Sequence, residues 1–103
     1  MTKAITKAAQ KNYARGSSME QNVVAKFFNP TGAGTWYLMN QDPQDPSYCW
    51  GIVKLHEIEM GSFSLTELQN FRGRFGLGIE RDLWFKPMPA KEVWAKLHEG
   101  KHL

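Results

Sequence analysis

Two histidines near the end of the chain have the spacing of a zinc-peptidase motif. Residues 98–102 read His-Glu-Gly-Lys-His. In such peptidases the two imidazoles lie one helical turn apart and share a zinc ion, while the glutamate acts as general base. Here Gly100 separates the histidines and costs about 1 kcal/mol of helix propensity. Since only Leu103 follows His102, the second ligand would lie in a fraying turn. We therefore expect no peptidase site and assign no metal ligands, while adventitious metal binding by the terminal histidines stays an alternative.

A pair of carboxylates in the second half of the chain is another candidate for chemistry. Glu80 and Asp82 flank Arg81. In an extended segment the two carboxylates point to one side and the guanidinium to the other. With no histidine nearby in the sequence, this pattern is more typical of an ion-pair network than of a nuclease site. A small metal-dependent hydrolase remains an alternative.

The one cysteine, Cys49, lies between Tyr48 and Trp50 in a segment that reads as a strand. A catalytic thiol needs a histidine or a helix N-terminus beside it, and the nearest histidine in the sequence is His56. We therefore expect a core or half-buried thiol and no catalytic residue. A single cysteine cannot form an internal disulfide, which favours a reducing cytoplasm.

Three glycines lie close together in the segment after residue 72. Gly73, Gly76 and Gly78 match neither a dinucleotide-binding fingerprint nor a Walker loop. They are more typical of a helix cap followed by turns. The alternative is that their backbone amides, together with Arg72 and Arg74, bind an anion.

Basic and aromatic residues together favour a binding function. The chain has four tryptophans and a net charge of +3. Most aromatic side chains must fill the core of so small a protein, but some can remain exposed and bind a protein partner or a single-stranded nucleic acid. The predicted binding residues are Arg72, Arg74, Arg81, Lys86, Trp36 and Trp84.

The charge is distributed unevenly along the chain. Residues 1–22 carry four basic side chains and one acidic one, residues 23–62 are acidic on balance, and residues 63–103 are basic on balance. Basic ends could attract a polyanion, but the overall charge is low for a dedicated nucleic-acid binder. A protein partner is therefore favoured slightly over nucleic acid, which stays an alternative.

Hydrophobic patterning predicts the elements that must position these residues. Strands are expected over residues 23–28, 35–39 and 48–55, with a fourth over 58–63 interrupted at Gly61. Residues 79–86 read as a further extended segment. Ser64 and Glu67 form a capping box that opens a helix ending at Gly73, and Pro89 is expected as the first residue of a final helix.

These elements predict an α+β fold. We expect an antiparallel sheet of three to five strands packed against two or three helices, in a single domain. Residues 1–22 would form an N-terminal helix and loop, and residues 23–103 the α+β core domain. Because both faces of the strands are largely apolar, helices on one side and a partly exposed aromatic face on the other are favoured over helices on both sides.

Nothing in the sequence predicts a membrane protein. No apolar run approaches the ~18 residues needed to span a bilayer. The first residues are basic but no apolar stretch follows them, so we expect no secretory signal. The sequence therefore favours a cytoplasmic protein without membrane contact.

Several segments resemble an uncharacterised domain-of-unknown-function family of short proteins encoded on bacterial plasmids, conjugative elements and other mobile elements. The resemblance lies in residues 25–32, 35–37, 61–68 and 76–87, and it covers roughly residues 23–87. The sequence departs from the family at Gly34, where an aromatic residue is expected, and in lacking a Leu- and Pro-rich opening.

The resemblance implies a biological context and no activity, catalytic residue or cofactor. Together with the basic and aromatic residues it predicts a non-catalytic accessory protein of a mobile genetic element that binds a macromolecule. A protein partner is favoured, direct DNA or RNA binding is the first alternative, and a homodimer is left open. No cofactor is expected.

Overall fold

Three helices and seven strands make up the fold. The computed structural model describes the backbone of residues 1–103 and every side chain except that of Arg74. The elements are α1 (Lys3–Lys11), β1 (Asn22–Val23), β2 (Ala25–Phe28), β3 (Thr35–Gln41), β4 (Tyr48–Lys54), β5 (Ile58–Ser64), α2 (Leu65–Asn70), β6 (Glu80–Arg81), β7 (Met88–Pro89) and α3 (Ala90–His98). Single 3₁₀ turns lie at Tyr13–Arg15 and Arg74–Gly76.

Five of the strands form one antiparallel sheet in the order β5-β4-β3-β2-β6, and β1 pairs with β7 in a separate two-stranded ribbon. The α+β prediction is therefore confirmed. The predicted hairpin of β2 and β3 is also present, with Phe27 opposite Trp36. Its turn is closed by the Asn29 amide, which donates to the Gly34 carbonyl at 3.0 Å.

The centre of the sheet contains a register shift. The pairing of β3 with β4 slips between Leu38 and Asn40. Beside the shift, the position that a Cβ atom on Gly51 would occupy is 2.0 Å from the Tyr37 carbonyl oxygen. Only a residue without a side chain fits there, so Gly51 is required by the approach of the two backbones.

Helices cover both faces of the sheet. Helices α1 and α2 pack on one face through residues that include Ala9, Leu65 and Leu68. Helix α3 packs on the other face through Val93 and Leu97. The favoured arrangement, with helices on one side only, was wrong, because α3 packs on the second face. Aromatic residues of that face are still partly exposed, since Tyr48 is 45% exposed and Trp50 is half-buried.

Several boundaries differ from the prediction. Strand β5 runs through Gly61 without interruption, because it pairs with β4 along its whole length. Helix α2 ends at Asn70, since Phe71 is already extended, and so Gly73 is not its cap. Pro89 precedes the first helical residue of α3, and it belongs to β7, which pairs with β1.

None of the helices in the described part of the chain is long and apolar enough to cross a bilayer.

Candidate binding surface

A turn after β6 is organised around the carboxylate of Asp82. One carboxylate oxygen accepts a hydrogen bond from the Trp84 amide at 2.9 Å, and the other lies 3.4 Å from the ammonium of Lys26. The Asp82 amide donates to the Lys26 carbonyl at 2.9 Å, and the Phe85 amide donates back to the Asp82 carbonyl at 3.3 Å. The turn is thus fixed through both the backbone and the side chain of one residue.

Two large apolar side chains project from this turn. Leu83 is 72% exposed and Trp84 is 91% exposed. We call these two residues the aromatic tip. Single exposed apolar side chains are common on protein surfaces, but here two adjacent ones stand on a turn that is held in place. The aromatic tip is therefore the leading candidate for a docking surface.

The turn is also held in place by contacts with the core and with the last residue of the chain. The ring of Phe85 packs edge-on against Tyr37 at a centroid distance of 6.2 Å. Burial raises the pKa of the Tyr37 hydroxyl to about 12, and the nearby Asp82 carboxylate adds to the shift. Lys26 also donates to the backbone oxygen of Leu103. The turn that carries the aromatic tip is therefore anchored to the core beneath α3.

A second exposed apolar segment precedes β6. Phe71, Phe75 and Leu77 are 40%, 88% and 47% exposed. The loop is closed by the Gly73 amide, which donates to the Leu77 carbonyl at 2.8 Å. Phe75 has a φ of +61°, which is uncommon for a bulky residue, and Gly76 follows with a φ of +72°. The interpretation of this region as turns holds for Gly76.

The predicted basic residues have different surroundings. Arg72 donates to the carbonyls of Gln69 at 3.0 Å and Phe71 at 2.7 Å, so it satisfies carbonyls at the end of α2. Arg81 lies on β6 opposite Phe27 and is half-buried. Lys86 is exposed. The side chain of Arg74 is outside the described part of the structure.

The six predicted binding residues do not form one patch. Trp36 is half-buried against the core under α1 and α2, and it lies on the same face as Arg81, two strands away. Trp84 and Lys86 instead line a shallow groove of about 390 Å³ with Met88, a residue packed on the core beneath α3. The structure therefore brings Trp84 and Lys86 together and separates them from Trp36.

The terminal histidines do not share a helix. His98 is the last residue of α3, and its Nδ1 lies 2.8 Å from the Trp94 carbonyl oxygen. Gly100 has a φ of +80°, which ends the helical path before His102. Within the described residues, no three His, Cys, Asp or Glu side chains are grouped so that they could hold a metal ion.

The thiol of Cys49 is completely buried. Burial raises its pKa to about 11, and the Asp45 carboxylate adds to the shift, while hydrogen bonds with the Leu65 backbone and the Gln41 side chain oppose it. At neutral pH the group is a protonated thiol, so it lacks the thiolate that nucleophilic catalysis needs.

The sequence predicts Trp84 as a binding residue but gives no such prediction for Leu83 or Phe75. Leu83 and Trp84 lie in a segment that the sequence predicts to be extended, in which alternate side chains point inward. The sequence does contain a signal for the turn. Asp82 stands two residues before Trp84, and an aspartate often accepts a hydrogen bond from the amide two residues on.

No curated protein and no solved structure gives a match to this chain. One family model does, and it covers residues 1–101, which extends the resemblance seen over residues 23–87 into both terminal segments. The chain therefore belongs to the family described as protein of unknown function DUF2958.

Proposed function

We propose that this protein is a non-catalytic accessory protein of a mobile genetic element that binds a protein partner through the aromatic tip. The observation that carries the proposal is the exposure of Leu83 and Trp84, at 72% and 91%, on a turn fixed by Asp82. Tryptophan is enriched among the residues that contribute most to protein–protein affinity.

The fixed conformation of the turn supports a binding role. An interface side chain that must be immobilised on association costs about 0.5–1.5 kcal/mol. Here the backbone of the turn is already held by the bonds from Trp84 and Phe85 to Asp82. Binding of the aromatic tip would therefore lose less conformational entropy than binding of a flexible loop.

The composition of the aromatic tip favours protein over nucleic acid as the partner. Nucleic-acid bases stack on flat aromatic or guanidinium surfaces. Trp84 offers such a surface, but Leu83, its neighbour, does not. An aliphatic and an aromatic side chain on adjacent residues suit an apolar pocket, and Lys86, which lines the groove together with Trp84, suits a carboxylate at the rim of that pocket.

The mobile-element role and the cytoplasmic location in the proposal rest on the sequence. Resemblance to proteins of plasmids and conjugative elements supports an accessory role in mobile DNA. The proposal includes a cytoplasmic location, which the one unpaired cysteine supports, because proteins of reducing compartments fold without disulfides.

The test is site-specific photo-crosslinking in an extract of the source cells, with and without nuclease treatment. A benzophenone amino acid replaces Trp84 in one variant and Ser62, an exposed residue of β5, in the control. We expect one discrete protein adduct at position 84 and none at position 62. Excess wild-type protein should compete the adduct away, whereas a Leu83→Ser/Trp84→Ser variant should not. A missing adduct, equal adducts at both positions, or loss of the adduct on nuclease treatment would contradict the proposal.

A further inference from the structure

Helix α1 carries a row of cations on its solvent side. Lys3, Lys7 and Lys11 follow one another at intervals of four residues, and Arg15 continues the spacing in the 3₁₀ turn after the helix. Residues four apart lie on the same face of a helix, separated by about 6 Å along its axis. All four side chains are exposed. We call these four residues the basic row.

The opposite side of α1 holds the helix on the sheet. Ala9 is completely buried, and Ile5 and Ala8 pack against the same cluster. The Thr2 hydroxyl caps the first turn by accepting from the Ile5 amide at 3.1 Å. At the other end, the Asn12 side chain donates to the Met39 carbonyl at 3.2 Å. The orientation of the basic row is therefore fixed by the core.

The charges of the basic row are not neutralised within the described structure. Helix α1 contains no acidic residue. The ion pairs of the described side chains involve Lys26, Lys91, Lys96 and Lys101, and none includes a member of the basic row. Arg15 donates through one nitrogen to the Glu20 carbonyl at 2.7 Å, which leaves its other donors for a ligand.

A groove extends the positive surface beyond the helix. It has a volume of about 520 Å³ and runs between the end of α1 and the start of α3, with Lys11, Arg15 and Lys91 among its lining residues. Glu20 is the one acidic residue of the lining, and it is paired with Lys91. The balance of charge in the groove is thus positive.

We propose that the basic row and this groove bind the phosphate backbone of nucleic acid. Each strand of duplex DNA carries one phosphate per ~3.4 Å of the helix axis. The helical part of the row, ~12 Å long, therefore matches about three to four phosphates of one strand. Contacts between lysine side chains and phosphates carry no information about the bases, so we expect binding that is independent of the nucleic-acid sequence.

A membrane surface fits the same charges less well. Amphipathic helices that bind membranes bury an apolar face in the bilayer. In α1 that face is already occupied, because Ile5, Ala8 and Ala9 pack on the sheet. Nucleic acid needs only the exposed cations, so it is the occupant that the geometry favours.

The test measures binding of a labelled random-sequence duplex of about 20 base pairs, and of the matching single strand, by fluorescence anisotropy between about 50 and 200 mM salt. The test variant is Lys3→Gln/Lys7→Gln/Lys11→Gln. We expect its affinity to fall at least tenfold at low salt. The slope of log affinity against log salt should become shallower by about 2–3, since each phosphate contact contributes about 0.9 on duplex DNA and 0.7 on a single strand.

The matched control is Lys54→Gln/Lys96→Gln/Lys101→Gln, which removes the same charge from β4, α3 and the segment after α3. We expect this control to keep its affinity within about threefold, and the Leu83→Ser/Trp84→Ser variant to bind like wild type, since neither touches the basic row. Circular dichroism confirms that each variant is folded. Three results would overturn the proposal: no binding by wild type at low salt, equal losses in the two lysine variants, or binding to vesicles containing phosphatidylserine without binding to either nucleic acid.

Discussion

Gly51 is the residue at which the backbone leaves no room for a side chain. A Cβ atom there would lie 2.0 Å from the Tyr37 carbonyl oxygen and 3.2 Å from the Met39 amide nitrogen. Because both neighbours are backbone atoms next to the register shift, neither can rotate away. We predict that Gly51→Ala lowers the free energy of unfolding by about 3 kcal/mol or more, measured by urea denaturation.

Gly61 provides the matched control. It lies directly opposite Gly51 in the pairing of β4 with β5, and a Cβ atom there meets nothing within 4 Å. Gly61→Ala should change stability by about 0.5 kcal/mol or less, or raise it slightly, because it removes flexibility from the unfolded chain. Similar denaturation midpoints for the two variants would show that the sheet adjusts around residue 51.

Tyr37 should make stability depend on alkaline pH. Its pKa is raised from 10.0 to about 12, first by burial and then by the Asp82 carboxylate. Between these values the unfolded chain releases a proton that the folded protein keeps, so stability is intact below pH 10 and falls as pH rises toward 12. Tyr37→Phe keeps the ring packed against Phe85 and removes the titrating group. We predict a shallower loss of stability over this range, by up to about 2.7 kcal/mol, in thermal unfolding; parallel curves for the two proteins would contradict it.

The sequence does not predict which individual aromatic residues are exposed. Trp84 and Trp36 were both predicted as binding residues, and in the structure Trp84 is exposed whereas Trp36 is half-buried. Both tryptophans stand in short apolar segments, so the apolar pattern does not distinguish them. What separates them is the pairing of Trp36 with Phe27 inside the sheet, a contact made through the fold.

At the scale of elements, the N-cap of α2 has the clearest local cause. The Ser64 hydroxyl accepts from the Glu67 amide at 3.2 Å and lies 2.9 Å from the Ser47 hydroxyl. Helix α2 depends on this start, since it has only six residues, too few to be stable by itself. We predict that Ser64→Ala costs about 1 kcal/mol in urea denaturation.

Ser62→Ala is the control for the cap, because Ser62 is an exposed residue of the same strand without a helix to start. Its effect should stay within about 0.5 kcal/mol. If the two variants unfold at the same urea concentration, the hydroxyl of Ser64 has no capping role in solution.

Local signals predicted some elements and failed for others. The cap at Ser64 and the turn between β2 and β3 depend on neighbouring residues, so short sequence patterns were enough to identify them. The ribbon of β1 and β7 joins Val23 to Met88, residues far apart in the chain. Its two-residue strands carry no periodicity, so tertiary contacts alone define them.

At the scale of the whole molecule, the pattern of apolar residues indicated that both faces of the sheet are largely apolar, but it favoured helices on one face only and did not indicate that α3 packs on the second. Helix α1 has few apolar residues, and only Ala9 is fully buried, so its sequence gives a faint signal for packing. The stripe of α3 was recognisable, yet nothing in it indicates which face it covers. The face that α3 covers depends on the connection through β7, which places α3 on the other side of the sheet from α1 and α2.

One sheet supports both halves of the core, and we expect this arrangement to make the two halves unfold together. Strand β3 contributes Leu38 to the cluster under α1 and α2, and Tyr37 to the cluster under α3. Loss of either cluster exposes the same central strand. A substitution on one face should therefore lower the stability of the entire domain, as expected for a two-state protein of this size.

Leu68→Ala and Leu97→Ala test this coupling with identical chemistry on opposite faces. Leu68 of α2 is 8% exposed and Leu97 of α3 is 2% exposed, so each truncation leaves a cavity that costs about 2–4 kcal/mol. We predict one urea transition for each variant, coincident by tryptophan fluorescence and far-ultraviolet circular dichroism. The losses should add in the double variant, because the two side chains have no common partner across the sheet. If the Leu97→Ala protein instead loses part of its signal early and keeps the rest to the wild-type midpoint, α3 unfolds separately and the sheet does not couple its two faces.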